Sequence, residues 1–194
     1  MKNISEVRNS IIETAEKHFS LLGFEKTTLD DITGENGKSK TSIYYHFKNK
    51  HEIFKSVIEK EFRMVREDLQ KVLENKGLTR IEIMRQYLNT RLVSLQGQGA
   101  FRRFASSRFA YGNNPVSKVV SEARKPFDTW EKQYLESNIS GGIKDGTIPE
   151  SISPEVFSTT LVNILKALEL QFFSAEDKDE VSNTYKGMIE LIVR

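Results

Sequence analysis

Between Thr28 and Lys50 the chain crowds hydroxyls, amines, two phenols and an imidazole into one stretch, TLDDITGENGKSKTSIYYHFKNK. These groups suit the recognition of a polyanion that carries a code on its edges. Lysine reaches guanine acceptors, and threonine meets base edges or the thymine methyl. Phenol, imidazole and ammonium groups donate to phosphate oxygens, which fixes position without specifying sequence. Helical spacing turns Ile32 and Ile43 inward with Phe47 and Phe19, and leaves Lys38, Lys40, Thr41, Ser42 and Tyr45 outward. Tyr44, His46 and Lys50 follow as candidate phosphate holders. Catalytic patterns are missing. The three histidines, His18, His46 and His51, form no H-E-x-x-H, and no phosphate-binding glycine loop or G-x-S-x-G elbow occurs. Cysteine is absent, which removes thiolate nucleophiles, disulfides and zinc-finger ligation. The sequence therefore predicts no catalytic site, no metal site and no cofactor.

The elements that must carry these residues are helices, and the fold class is all-α with about nine of them. Asn3 and Glu6 form a capping box for a first helix that ends at Gly23. Thr28 caps a short second helix, Gly37 makes a turn, and Ser39 caps a short third helix running to about Phe47. Asn49 and Glu52 open a long fourth helix with Ile53, Val57, Phe62, Val65, Leu69 and Val72 at helical spacing. Thr79 and Glu82 open a fifth, and Ala100 to Ala110 makes a sixth. A seventh begins at Asn114-Pro115 and is expected to kink or divide at Pro126. The eighth runs from Pro154 to about Phe173, and the ninth from about Glu176. Helix, tight glycine turn and helix over Thr28–Phe47 is the helix-turn-helix outline. Charge agrees with a front end that meets a polyanion. From Asn36 to Arg66 eight cations face three anions, whereas from Asp145 to Arg194 nine anions face four cations.

The segment resembles the N-terminal signature of the TetR family of bacterial repressors. Thr28, Ile32, Gly37, Ser39, Tyr44, His46, Phe47 and Lys50 match that pattern in type and spacing. Thr33 and Asn36 depart from its usual alanines, and Lys38 departs from its usual valine. The resemblance implies a DNA-binding domain over residues 1–50 and a helical effector-binding and dimerisation domain over 51–194, with the fourth helix shared. It implies that Lys40, Thr41, Ser42 and Tyr45 face bases, while Thr28, Ser39, Tyr44, His46 and Lys50 hold phosphates. Lys38 adds a further phosphate contact by reaching outward. Its expected partners are a palindromic double-stranded operator, a second copy of the chain, and a small apolar or amphipathic effector that releases a repressor.

The eighth helix is apolar nearly all round, so it needs burial on every side. The resemblance implies a four-helix dimer face from the last two helices, with Leu161, Leu165, Leu168, Tyr185, Met188 and Ile192 as candidates. Aromatics and arginines crowd the middle helices, and Tyr87, Arg91, Phe104, Phe109, Trp130, Tyr134 and Phe172 are candidates for an apolar pocket with polar anchors. Carboxylates are expected on solvated helix faces. No apolar run approaches the ~20 residues that span a bilayer, and Met1–Glu6 lacks a signal-peptide core. A cytoplasmic protein with no membrane partner is expected. A helical protein-interaction module and a ligand-independent activator are the alternative functions.

Overall fold

The computed structural model describes residues 4–37, 39–75, 77–174 and 178–192. Among these are nine α-helices and one short 3₁₀ turn: α1 Ile4–Lys26, α2 Leu29–Asn36, α3 Lys40–His46, α4 Lys50–Leu73, α5 Arg80–Gly97, α6 Gly99–Ala105, η1 Arg108–Ala110, α7 Pro115–Lys144, α8 Pro154–Ser174 and α9 Lys178–Ile192. The start signals act as their chemistry requires. Thr79 Oγ1 accepts from the Glu82 N–H at 3.3 Å while the Glu82 carboxylate accepts from the Thr79 N–H at 2.8 Å, a reciprocal cap. Asn114 Oδ1 accepts from the Ser117 N–H ahead of α7, with Pro115 at the first helical position. The expected cap at Asn3 lies outside the described residues.

Two boundaries differ from expectation. Helix α7 continues from Pro115 to Lys144 with Pro126 inside it, so the proline does not divide the segment. The predicted sixth helix stops at Ala105, where Ser106 and Ser107 turn their N–H groups back onto Arg102 and Phe104 carbonyls, and η1 follows separately. Within α1 the regular helix breaks at Gly23 as expected, with φ 80° and ψ 170°, and a further short turn runs on to Lys26.

The chain folds as two compact units. One comprises Met1–Met64 with Leu95–Arg124, the other Val65–Ser94 with Lys125–Arg194. The expected division at residue 50 follows function along the chain, whereas these units follow packing. Helix α4 contributes to both, because its single apolar stripe continues from Ile53 to Leu69.

In the first unit, Ile11, Ala15 and Phe19 of α1, Ile32, Ile43, Phe47, and Ile53, Phe54 and Val57 of α4 form the core. Helix α6 lies along α1. Its Gly99 is needed for that approach, since a Cβ there would stand 2.7 Å from the Ser20 Cβ and closer still to its hydroxyl. The first N–H groups of α6, on Ala100 and Phe101, donate to the Glu61 carboxylate of α4 at 2.8 and 2.7 Å.

In the second unit, helices α8 and α9 pack on each other. Among the described residues, α8 is the one helix long and apolar enough to cross a membrane, by length and composition alone. Its Leu161, Val162, Leu165, Phe172 and Phe173 are buried in this unit's core. Its Glu169 is 1% exposed and pairs with the Arg91 guanidinium of α5 at 2.5 Å. Arg91 is fully buried and also donates to both Glu131 oxygens of α7, at 2.5 and 3.1 Å. The Tyr87 hydroxyl donates to the same glutamate at 3.0 Å, and Tyr185 of α9 donates to the Leu88 carbonyl at 2.9 Å. Glu61, Glu131 and Glu169 thus contradict the expectation that the carboxylates lie on solvated faces. Helical periodicity marks which face a residue occupies, and cannot reveal that a partner waits on the buried one.

Candidate nucleic-acid interface

Two short helices build the site. Thr28 caps α2, accepting from the Asp31 N–H at 3.2 Å while the Asp31 carboxylate accepts from the Thr28 N–H at 2.7 Å and from its hydroxyl at 2.8 Å. The Thr28 backbone N–H, then its hydroxyl, hold the Asp31 carboxyl below the usual carboxylate range. Gly37 closes α2 at φ 62°, a left-handed backbone that a side chain would strain. Ser39 then caps α3 by accepting from the Ser42 N–H at 3.2 Å. Ile32 and Ile43 are fully buried and Phe47 nearly so, which fixes the rotation of α3 about its axis. The opposite side therefore faces solvent. Lys40 and Thr41 are exposed, as are Tyr44 at 56% and Tyr45 at 73%. Ser42 and His46 are half-buried, and the Tyr45 and His46 rings meet edge to face at 5.0 Å. Lys38 lies outside the described residues.

Two residues carry partners that their types did not announce. Lys40 pairs with Asp30 of α2 at 2.8 Å, and that hydrogen bond raises its ammonium pKa. Base contact by Lys40 requires exchanging this carboxylate. Lys50 donates to the carbonyls of Phe24 at 2.7 Å, Thr27 at 2.9 Å and Glu25 at 3.4 Å, and lies 4.4 Å from the Phe24 ring centre. Burial lowers its pKa, against an opposing pull from Glu25. Expected as a phosphate holder, Lys50 has its three N–H groups committed to the corner between α1 and α2. Asp30 and Thr27 are the residues overlooked. Thr27 is fully buried and its hydroxyl donates to the Gly23 carbonyl at 2.8 Å. The adjacent pair Thr27-Thr28 held the only hint of its role.

The candidate pocket residues separate. Phe104 and Phe109 belong to the first unit, where with Leu22, Gly23, Arg103 and Val116 they line a recess of about 250 Å³. Tyr87, Arg91, Trp130, Tyr134 and Phe172 belong to the second. Tyr134 stacks between Tyr87 at 5.1 Å and Trp130 at 6.3 Å. Tyr87 and Arg91 are consumed by the Glu131 network, so they are core rather than open lining. A cavity of about 350 Å³ in this unit is instead walled by Ile81, Met84, Ile139, Ile148, Phe157 and Ile192, with Arg80 and Asn138 at its polar edge. None of the expected residues lines it.

The candidate dimer residues differ in exposure. Leu161, Leu165 and Tyr185 are buried within the chain's own core. Leu168, Met188 and Ile192 are half-buried. The outward stripe of α8 is Val156, Thr160, Asn163, Ile164, Ala167 and Gln171.

Residues 11–57 match the profile of bacterial regulatory proteins of the tetR family. Over 157 residues the chain is 24% identical to the transcriptional repressor DhaR of a Mycobacterium species, covering 80% of this chain and 77% of that one. It is 41% identical over 56 residues to IcaR, the negative regulator of a Staphylococcus epidermidis biofilm operon, covering 29% and 30% of the two chains. The fold matches the crystal structure of a TetR-family regulator from Pectobacterium atrosepticum with TM-score 0.79 at 20% identity, over 98% of this chain and 94% of that one. It also matches the regulator FadR of Bacillus subtilis, solved with stearoyl-CoA, with TM-score 0.72 at 17% identity, over 95% and 97%.

Proposed function

The chain belongs to the TetR family and is a DNA-binding transcriptional regulator, and on that premise we propose that it is a cytoplasmic repressor that binds a palindromic operator as a homodimer and leaves it on binding an apolar or amphipathic effector. The observation that carries this reading is the exposed row Lys40, Thr41, Tyr44 and Tyr45 on α3, backed by buried Ile43 and Phe47. A helix held this rigidly presents the same side chains to each groove it enters. Thr41, Ser42, Tyr45 and Lys40 meet base edges in this scheme. Thr28, Ser39, Tyr44 and His46 meet phosphates, with Lys38 reaching one beside them. Lys50 positions the corner that carries Thr28. The α8 stripe around Ile164, 42% exposed, faces the second copy. The 350 Å³ cavity supports an effector with a sizeable apolar part, and the FadR protein of the same fold holds a long-chain acyl thioester.

In-vitro selection from random duplexes tests the reading. An enriched inverted repeat is expected. A pool that stays random, with binding that only fades as salt rises, overturns sequence-specific recognition.

A further inference from the structure

Between Ile83 and Ser121 the chain contains no aspartate or glutamate but carries Arg85, Arg91, Arg102, Arg103, Arg108 and Lys118. Such a stretch is unusual in a chain with 27 acidic residues. Three of these cations, Arg102, Arg103 and Arg108, are exposed on α6 and η1 in the first unit. Helix α6 runs beside α1 in the same direction. Gly99 lies against Ser20, and the Arg103 side chain passes 3.4 Å from where a Gly23 Cβ would stand. The Arg108 guanidinium pairs with Glu25 at 2.5 Å. Exposed Lys26 follows directly, and Thr28, the cap of α2, comes two residues later. The arginines therefore continue the surface of the reader from the corner that Lys50 holds. Glu25 is the acid paired within this group, at 56% side-chain exposure, and Arg102 donates one N–H to the Gln96 carbonyl at 3.2 Å.

We propose that Arg103 and Arg108, with Lys26, form a second phosphate-holding surface that extends the DNA footprint beyond the helix-turn-helix. Guanidinium groups suit this work because their forked donors match phosphate oxygens and their charge is fixed at any physiological pH. Duplex DNA bound through α3 continues past the Thr28 cap, and its flanking phosphates draw Arg108 away from a single solvated carboxylate. The contacts carry no base information. Because they sit on α6, which Glu61 ties to α4, they also make the grip on flanking DNA depend on where α6 lies. The proposal rests on the DNA-binding reading but not on its sequence preference.

The test is the salt dependence of binding for the wild type and the Arg103→Gln/Arg108→Gln variant, on the selected duplex and on a random one. Losing two phosphate contacts reduces the slope of log K against log salt by about 2 in magnitude, since each contributes about 0.9. The reduction is expected on both duplexes, with the selected consensus unchanged. Arg103→Lys/Arg108→Lys keeps the charge and is expected to keep most of the slope. Glu25→Gln releases Arg108 and is expected to tighten binding several-fold at low salt. An unchanged slope in the glutamine variant overturns the proposal. So does an equal loss in the lysine variant, which would assign the effect to packing rather than charge. If selection yields no consensus, sequence recognition fails while the slope on random duplex still decides this surface.

Discussion

Lys50 shows how far a residue's role depends on what its neighbours leave open. Three carbonyls at and just past the end of α1 take its donors, so Lys50→Met is expected to lower stability by about 1.5–3 kcal/mol, the range for hydrogen bonds to a charged group. Chemical denaturation measures this, and an unchanged midpoint would return Lys50 to the phosphates. Lys40 presents the opposite case, an exposed cation restrained by Asp30. Asp30→Asn is expected to tighten operator binding a few-fold at low salt, an increase that fades as salt screens the pair; weaker binding would show that Asp30 itself orients the lysine for its base. Glu61 titrates in an accessible range. Burial raises its carboxyl to about 7, against the N–H groups of Ala100 and Phe101 that favour the ionised form. The folded state thus holds this proton more tightly than the unfolded state, whose glutamate lies near 4.5. The resulting stabilisation is complete below about 4.5 and is lost as pH rises through about 7. Denaturation midpoints between pH 5 and 8 are expected to fall with pH for this reason, and Glu61→Gln to remove that part of the slope.

At the scale of elements, the contact between α6 and α1 is set by the missing side chain of Gly99. Gly99→Ala drives a methyl into Ser20, and overpacking of this kind costs about 1–3 kcal/mol. Ser20→Gly is expected to restore much of the loss in the double variant, measured as a coupling in thermal or urea unfolding; strictly additive effects would mean that α6 does not rest on α1 there. The helices themselves were legible in the sequence because capping is a local chemistry. Thr28, Ser39, Thr79 and Asn114 are followed three residues on by the group they bond. The helix runs through Pro126 without dividing there, because a proline removes one backbone donor and the neighbouring turns keep theirs. The reading face of α3 was legible because Ile32, Ile43 and Phe47 announce its inner side. Cavity walls and ion pairs were not, since Arg91, Glu131 and Glu169 are separated by 40 and 38 residues and nothing local in any of them names the others.

For the whole molecule, the proposed half-site recognition by two copies makes DNA binding depend on association. Ile164→Glu on the outward stripe of α8 leaves the chain's own core intact. It is expected to shift the protein to a monomer in analytical ultracentrifugation and to weaken operator binding at least tenfold; a dimer that survives the charge would move the interface elsewhere. The Arg91 network bears on a different property, the order in which the second unit is assembled. One guanidinium draws on carboxylates from α7 and α8, and burying those carboxylates without Arg91 leaves uncompensated charge that costs about 3–5 kcal/mol. Arrangements that bury Glu131 and Glu169 before α5 supplies Arg91 are therefore penalised. In chain order α5 precedes both partners, so a growing chain already carries the guanidinium when the carboxylates of α7 and α8 are made.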